Sequence, residues 1–117
     1  MSHRKQLIAR DFVLDFKKRT LIMGVMNLTP DSFSGDGRLQ QKLPVNDHLR
    51  YAKRLIRQGA DIIDIGAESS RPGAKPVSQE QELRRLLPVL KVLVEQIKVP
   101  VSVDTYKINV AKAALET

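Results

Sequence analysis

Three short polar side chains close apolar runs along this chain. Asn27 follows "TLIMGVM", Asp64 stands in "ADIIDIG", and Asp104 follows "VPVSV". They lie 37 and 40 residues apart. If the runs are neighbouring strands, all three ends converge on one cavity, with an amide and two carboxylates at its rim. The alternative is local: Asn and Asp follow strands because they favour turns and caps. Asp104, just before Thr105, would then simply cap the next helix. Two polar loops extend the set. The first, "NLTPDSFSGDG", runs on to about Val45 and carries Phe33, which either anchors the loop to the core or covers a flat ligand. The second, "ESSRPG", offers the hydroxyls of Ser69 and Ser70 and the guanidinium of Arg71, beside a stiff Pro72-Gly73 turn. Arg71 either grips a carboxylate or phosphate through two parallel N–H bonds or points into solvent.

Other chemistries are excluded or unsupported. The chain has no cysteine, so it can form no disulfide and no thiolate metal site. It contains no G-x-x-x-x-G-K-[ST], G-x-G-x-x-G or H-E-x-x-H pattern. His3 and His48 are isolated and receive no role. The net charge of +7 fits either a solvated basic surface or attraction of an anion. Nucleic acid is the weaker candidate anion, because the basic residues are scattered and only five aromatics could stack on bases. No run approaches the roughly 18 apolar residues of a membrane span. The basic N-terminus has no signal-peptide core, so the expected location is the cytoplasm.

These residues need a scaffold, and the pattern around them supplies one. The 117 residues are expected to form one domain, 1–117. Residues 12–16 and 20–27 read as two short strands around "KKR", a hairpin leading into a buried strand. Asn46 or Asp47 is the expected cap of a helix to about Gln58, with Leu49, Ala52, Leu55 and Ile56 on its apolar face. Gly59 suits the left-handed residue that ends it. Residues 60–66 read as a buried strand. Ser78 and Gln81 form a capping box for a second helix. Its inward residues are Leu83, Leu86, Leu87, Leu90, Leu93, Val94 and Ile97, with a kink or restart expected at Pro88. Residues 99–104 form a third strand. A third helix follows, with Val110, Ala111, Ala114 and Leu115 inward. Three strand–helix repeats call for an α/β fold with a parallel sheet. A (β/α)8 barrel gathers its chemistry at the C-terminal ends of such strands.

The segments "GVMNLTPDSFSGDG", "GADIIDIGAESSRPGA" and "PVSVDTYKINVAKAAL" resemble three motifs of the dihydropteroate synthases, in the same order. The resemblance runs from Leu21 to Leu115. It implies the first three βα units of a TIM barrel, preceded by a short N-terminal β-hairpin and incomplete as it stands. It implies condensation of 6-hydroxymethyl-7,8-dihydropterin pyrophosphate with p-aminobenzoate, Mg²⁺ as cofactor, and a homodimer when full length. It places Asn27 at the metal and pyrophosphate, Asp104 on the pterin and Asp64 near that pocket. Ser70 (where the family often has threonine), Arg71, Pro72 and Phe33 fall at the p-aminobenzoate site, where sulfonamides compete. No residue is singled out as the catalytic one. "SGDG" replaces the commoner "SDGG" in the first loop. The implied barrel is about twice this length, and its later strands would supply another asparagine, an aspartate, a lysine and an Arg-x-His motif. Two other readings share these residues: a truncated, non-catalytic pterin-binding or half-barrel chain, and a pterin-dependent methyltransferase relative. The methyltransferase would need neither the Asn27 loop nor "ESSRPG".

Overall fold

The computed structural model describes residues 5–29, 44–69 and 72–117. Strands β1 (Gln6–Ala9) and β2 (Phe12–Asp15) form an antiparallel hairpin. Then come β3 (Met23–Asn27), α1 (Val45–Arg57), β4 (Ile62–Gly66), α2 (Gln79–Gln96), β5 (Val101–Asp104) and α3 (Ile108–Glu116). The last three strands make a parallel sheet in the order β3-β4-β5. This is the expected α/β arrangement: a hairpin, three βα units and a sheet that does not close.

The hairpin is displaced from its expected place. β2 pairs with β1, not with residues 20–27. A two-residue link, Arg10-Asp11, suffices for the tight turn, and Arg10 takes the left-handed conformation at φ 52°. Residues 16–22 instead cross to the sheet. The Arg10 guanidinium also donates to the Leu115 carbonyl at 2.7 Å, tying the hairpin tip to the end of α3.

The sheet has two unlike faces. Gly24 and Met26 are buried, whereas Met23 and Val25 are 49% and 57% exposed. The β3 run is therefore not core throughout, as its composition suggests, but alternates with the two-residue period of a strand covered on one side. In register with Gly24 and Met26 lie Ile63 and Ile65, then Val101 and Val103. This face packs under the helices. At Gly24 an added Cβ would stand 3.1 Å from Leu55 Cδ1 and 3.2 Å from Ala60 Cβ, so a larger residue there would force α1 or its side chains to give by a few tenths of an ångström.

Helix signals hold with shifts of a residue or two. Pro44, not Asn46 or Asp47, occupies the N-cap of α1; a proline there donates no N–H and Asp47 instead pairs with Arg50. Gly59 ends the helix at φ 114°. The Ser78–Gln81 capping box opens α2 as read. α2 continues unbroken through Pro88. Arg84, whose carbonyl loses its donor, and Pro88 are both exposed, so water can replace the missing bond. Leu86, Leu90, Leu93 and Ile97 are buried, but Val94 is 41% exposed. Val110 is buried in α3, but Leu115 is 78% exposed. Val94 and Leu115 both line a cavity of about 650 Å³ along the outer edge of β5, so their apolar surface faces this opening.

Asp61 straps the lower end of the sheet. Its carboxylate accepts from both Arg19 guanidinium nitrogens, one at 2.8 Å, and from the Ile22 N–H at 2.8 Å. These donors, Arg19 foremost, hold its pKa at about 2, below the usual 3.8. The strap therefore stabilises the fold fully above about pH 4 and is lost as pH falls through 2. Asp61→Asn is expected to lower Tm at pH 7 and to flatten the fall of Tm between pH 4 and 2, measured by thermal melts across that range.

Candidate functional site

The parallel register decides which strand-end residues meet. Asn27, Gly66 and Asp104 form one row across the C-terminal ends of the sheet. Val25, Asp64 and Ser102 form the row beneath. Both rows lie on the face turned away from the helices. Asp64 is thus not a strand end. β4 runs on through Ile65 and Gly66, because Ile65 completes the buried face and the ladder continues to Asn27 and Asp104. Gly66 keeps the centre of the upper row low: an added Cβ would approach Asp104 Cβ to 3.7 Å.

Asp104 is exposed, and Asn27 and Asp64 are partly buried. Asp104 does not cap α3, whose N-cap is Lys107. With the capping explanation removed, Asp104 presents its carboxylate at the rim of the open face. One row down, the Ser102 hydroxyl donates to Asp64 Oδ1 at 2.6 Å and fixes that carboxylate. Ser102 escaped the sequence reading. Its signal was there, since Ser102 and Asp104 alternate with two valines and so share a face.

A second polar cluster anchors the loop after β4. Glu68 Oε1 accepts from the Tyr106 hydroxyl at 2.9 Å and from the Val77 N–H at 3.3 Å. Lys107 Nζ donates to Glu68 Oε2 at 2.5 Å and to Glu82 Oε2 at 2.7 Å. The Thr105 hydroxyl donates to Glu82 Oε1 at 2.7 Å. The Arg85 guanidinium reaches the Ala67 carbonyl at 3.2 Å. Glu82 is 1% exposed, and a carboxylate that deep requires such partners. The Glu68 bond is the main reason the Lys107 pKa is raised, and Lys107 in turn lowers that of Glu68. The Glu68 contribution is complete above its ordinary 4.5 and fades as pH falls; that of Lys107 is complete below its ordinary 10.5 and fades as pH rises through the raised value. The sequence signal for this cluster was Glu82, which stands one turn before Leu86 on the buried stripe of α2.

Among the other sequence-derived candidates, Pro72 is exposed and starts the expected turn, with Gly73 at φ 82°. Phe33, Ser70 and Arg71 lie outside the described residues. No group of three or more His, Cys, Asp or Glu side chains is arranged to hold a metal among the described residues. No helix among them is long and apolar enough to cross a membrane.

The family model for pterin binding enzymes matches residues 23–117, from the first strand of the parallel sheet onward. The chain belongs to the pterin-binding enzyme family. It is 47% identical over 103 residues to the dihydropteroate synthase of Bacillus subtilis, covering 88% of this chain and 35% of that protein. The fold superposes on the Yersinia pestis dihydropteroate synthase, solved with a sulfonamide drug, at a TM-score of 0.83 and 41% identity, covering 95% of this chain and 39% of that one. It superposes on the Xanthomonas albilineans synthase, solved with 4-aminobenzoic acid, at 0.82 and 44% identity, covering 95% and 40%. The chain corresponds to the N-terminal portion of such synthases and spans about a third of the length of the matched dihydropteroate synthases. Those relatives are therefore longer than the twofold length expected from the barrel alone.

Proposed function

We propose that this chain forms the pterin-facing part of a dihydropteroate synthase, which joins 6-hydroxymethyl-7,8-dihydropterin pyrophosphate to p-aminobenzoate and releases pyrophosphate. The observation that carries the reading is the row Asn27–Gly66–Asp104 over the fixed Asp64–Ser102 pair, on the open face of a pterin-binding family fold. Asp104 accepts two N–H bonds from the aminopterin ring edge. Gly66 leaves room for a flat ring beside it. Asp64, held by Ser102, faces the same ligand from the row below.

The reaction breaks the C–O bond between the pterin methylene and the diphosphate, with the electron pair leaving on oxygen. The aniline nitrogen supplies the pair for the new C–N bond and loses a proton. The Asp104 carboxylate, close to the ring, stabilises positive charge that develops as the diphosphate departs. The Asn27 amide oxygen is a hard neutral donor at the strand end. It suits Mg²⁺, whose remaining ligands would be diphosphate oxygens and water. Bound there, the ion would neutralise charge on the leaving group. Ser70, Arg71, Pro72 and Phe33 are assigned to the p-aminobenzoate end. The reading includes a cytoplasmic location and a homodimer for the full-length synthase.

One observation separates binding from turnover. The sheet is open and exposes the ligand-facing side of β3, so the described residues cover the substrate on one side only. The chemistry needs a preorganised, water-excluding environment, and the described residues do not complete one. The 117-residue chain by itself is expected to bind pterin pyrophosphate but to form no dihydropteroate. Isothermal titration with and without Mg²⁺, followed by a product assay with both substrates, tests this. Mg²⁺-dependent binding without product supports the reading. Steady-state product formation refutes the expected inactivity, and absence of binding refutes the assignment of the site.

A further inference from the structure

The three residues after Asp104 have neither a strand nor a cap to hold them. Among the described residues β5 has a ladder partner on one side only, and that ladder ends at Asp104. α3 starts at Ile108 with no side-chain cap. Yet the link between them keeps the two-residue alternation of the strand: Thr105 and Lys107 are half-buried, and Asp104 and Tyr106 are exposed. Glu82, in the first turn of α2, holds the inward pair. Its Oε1 accepts from the Thr105 hydroxyl at 2.7 Å, and its Oε2 accepts from Lys107 Nζ at 2.7 Å. The Thr105 oxygen accepts in turn from the Lys107 backbone N–H at 3.2 Å. Glu82 is itself fixed, because its N–H donates to the Ser78 carbonyl at 3.0 Å within the capped start of α2.

We infer that Glu82 is a positioning residue for the pterin aspartate: by holding Thr105 and Lys107 on the helix side of the sheet, it keeps Asp104 on the ligand side at the end of an edge strand. This rests on the synthase reading for what Asp104 binds. The burial of Glu82 supports the role. A buried ion pair adds little net stability over apolar residues of similar volume. Leu86 and Leu90 continue the same stripe of α2 with apolar contacts alone. A carboxylate in their row supplies what they lack, two acceptor oxygens of fixed direction. Both are used on the segment that follows Asp104.

The test uses the full chain and the variants Thr105→Val, Thr105→Ser and Glu82→Gln. Thr105→Val keeps the shape and removes the hydroxyl, and Thr105→Ser restores it. In Thr105→Val the affinity for 6-hydroxymethyl-7,8-dihydropterin pyrophosphate, read by titration calorimetry, is expected to fall about tenfold. Thr105→Ser should return it to within about twofold of the unaltered chain. Glu82→Gln leaves Lys107 paired with Glu68 and should weaken binding about fivefold, so it reports even if Thr105→Val fails to fold. A double-mutant cycle shows whether the effect runs through Asp104. In an Asp104→Ala background, either substitution should lower affinity by less than about a further twofold. Full additivity would mean that Glu82 and Thr105 act independently of Asp104, and would overturn the inference. Backbone order parameters of residues 104–107 should drop in Thr105→Val while those of β4 stay unchanged. Unchanged affinity in both Thr105→Val and Glu82→Gln would also overturn it. If the unaltered chain does not bind the pterin pyrophosphate, the synthase reading fails. The order parameters then still decide the brace: a drop confined to 104–107 upholds it, and a uniform or absent drop overturns it.

Discussion

Asp104→Ala is expected to weaken binding of 6-hydroxymethyl-7,8-dihydropterin pyrophosphate by about 100-fold or more. The proposed contact is a carboxylate accepting two N–H bonds from the ring edge. Each charge-assisted bond contributes about 1.5 kcal/mol or more, and about 2.7 kcal/mol corresponds to 100-fold. The substitution should cost the fold little, because Asp104 is exposed and does not cap α3. Titration calorimetry paired with a thermal melt separates the two effects. Asp104→Asn is the informative companion. It keeps the shape but replaces one acceptor with a donor facing the ring N–H groups, so it should lose nearly as much. An Asp104→Ala variant that binds the pterin within about threefold of the unaltered chain would remove this residue from the site.

Ile63→Ala is expected to cost about 2–5 kcal/mol and to lower Tm by about 10 °C. Ile63 is fully buried on β4, the central strand, with Gly24 and Val101 as its register partners. Truncation there removes apolar contacts and leaves a cavity that two flanking strands and the helices cannot easily fill. For a domain of ordinary stability that is a large share of the total. Val25→Ala is the control. Val25 is 57% exposed on the opposite face, so its truncation should cost under about 1 kcal/mol. Urea unfolding of both variants checks the contrast. Similar losses at the two positions would mean that the exposed face of the sheet is not exposed in solution.

How much of this was legible beforehand depended on the range of the interactions. Local, periodic signals survived: the capping box at Ser78 and Gln81, the glycine stop at Gly59, the leucine stripe of α2 and the alternation of strands with helices. Errors arose where distant pairing decided the outcome. "FVLDF" could join either neighbour, and only the tight turn at Arg10 committed it to β1. Asp64 looked like a strand end because it is the first charge after two isoleucines. Its true row was set by hydrogen bonds to β3 and β5, strands far away in sequence. Val94 and Leu115 fit the inward periodicity of their helices, yet both face the opening along the β5 edge, since an amphipathic stripe reports what a helix can bury and not what is there to cover it. The Glu68–Lys107–Glu82 cluster left one trace, a carboxylate on an apolar stripe. That trace announces a buried charge and does not name its partner.

The most direct test of the central claim is a titration of the isotope-labelled chain with 6-hydroxymethyl-7,8-dihydropterin pyrophosphate and Mg²⁺, followed through backbone amide resonances. The account expects saturable shifts at Asn27, Gly66, Ser102 and Asp104, the two rows at the C-terminal ends of the sheet. Shifts confined to Lys53, Arg54 and Arg57 on the outer side of α1 would show plain attraction of an anion to a basic surface, and would contradict it.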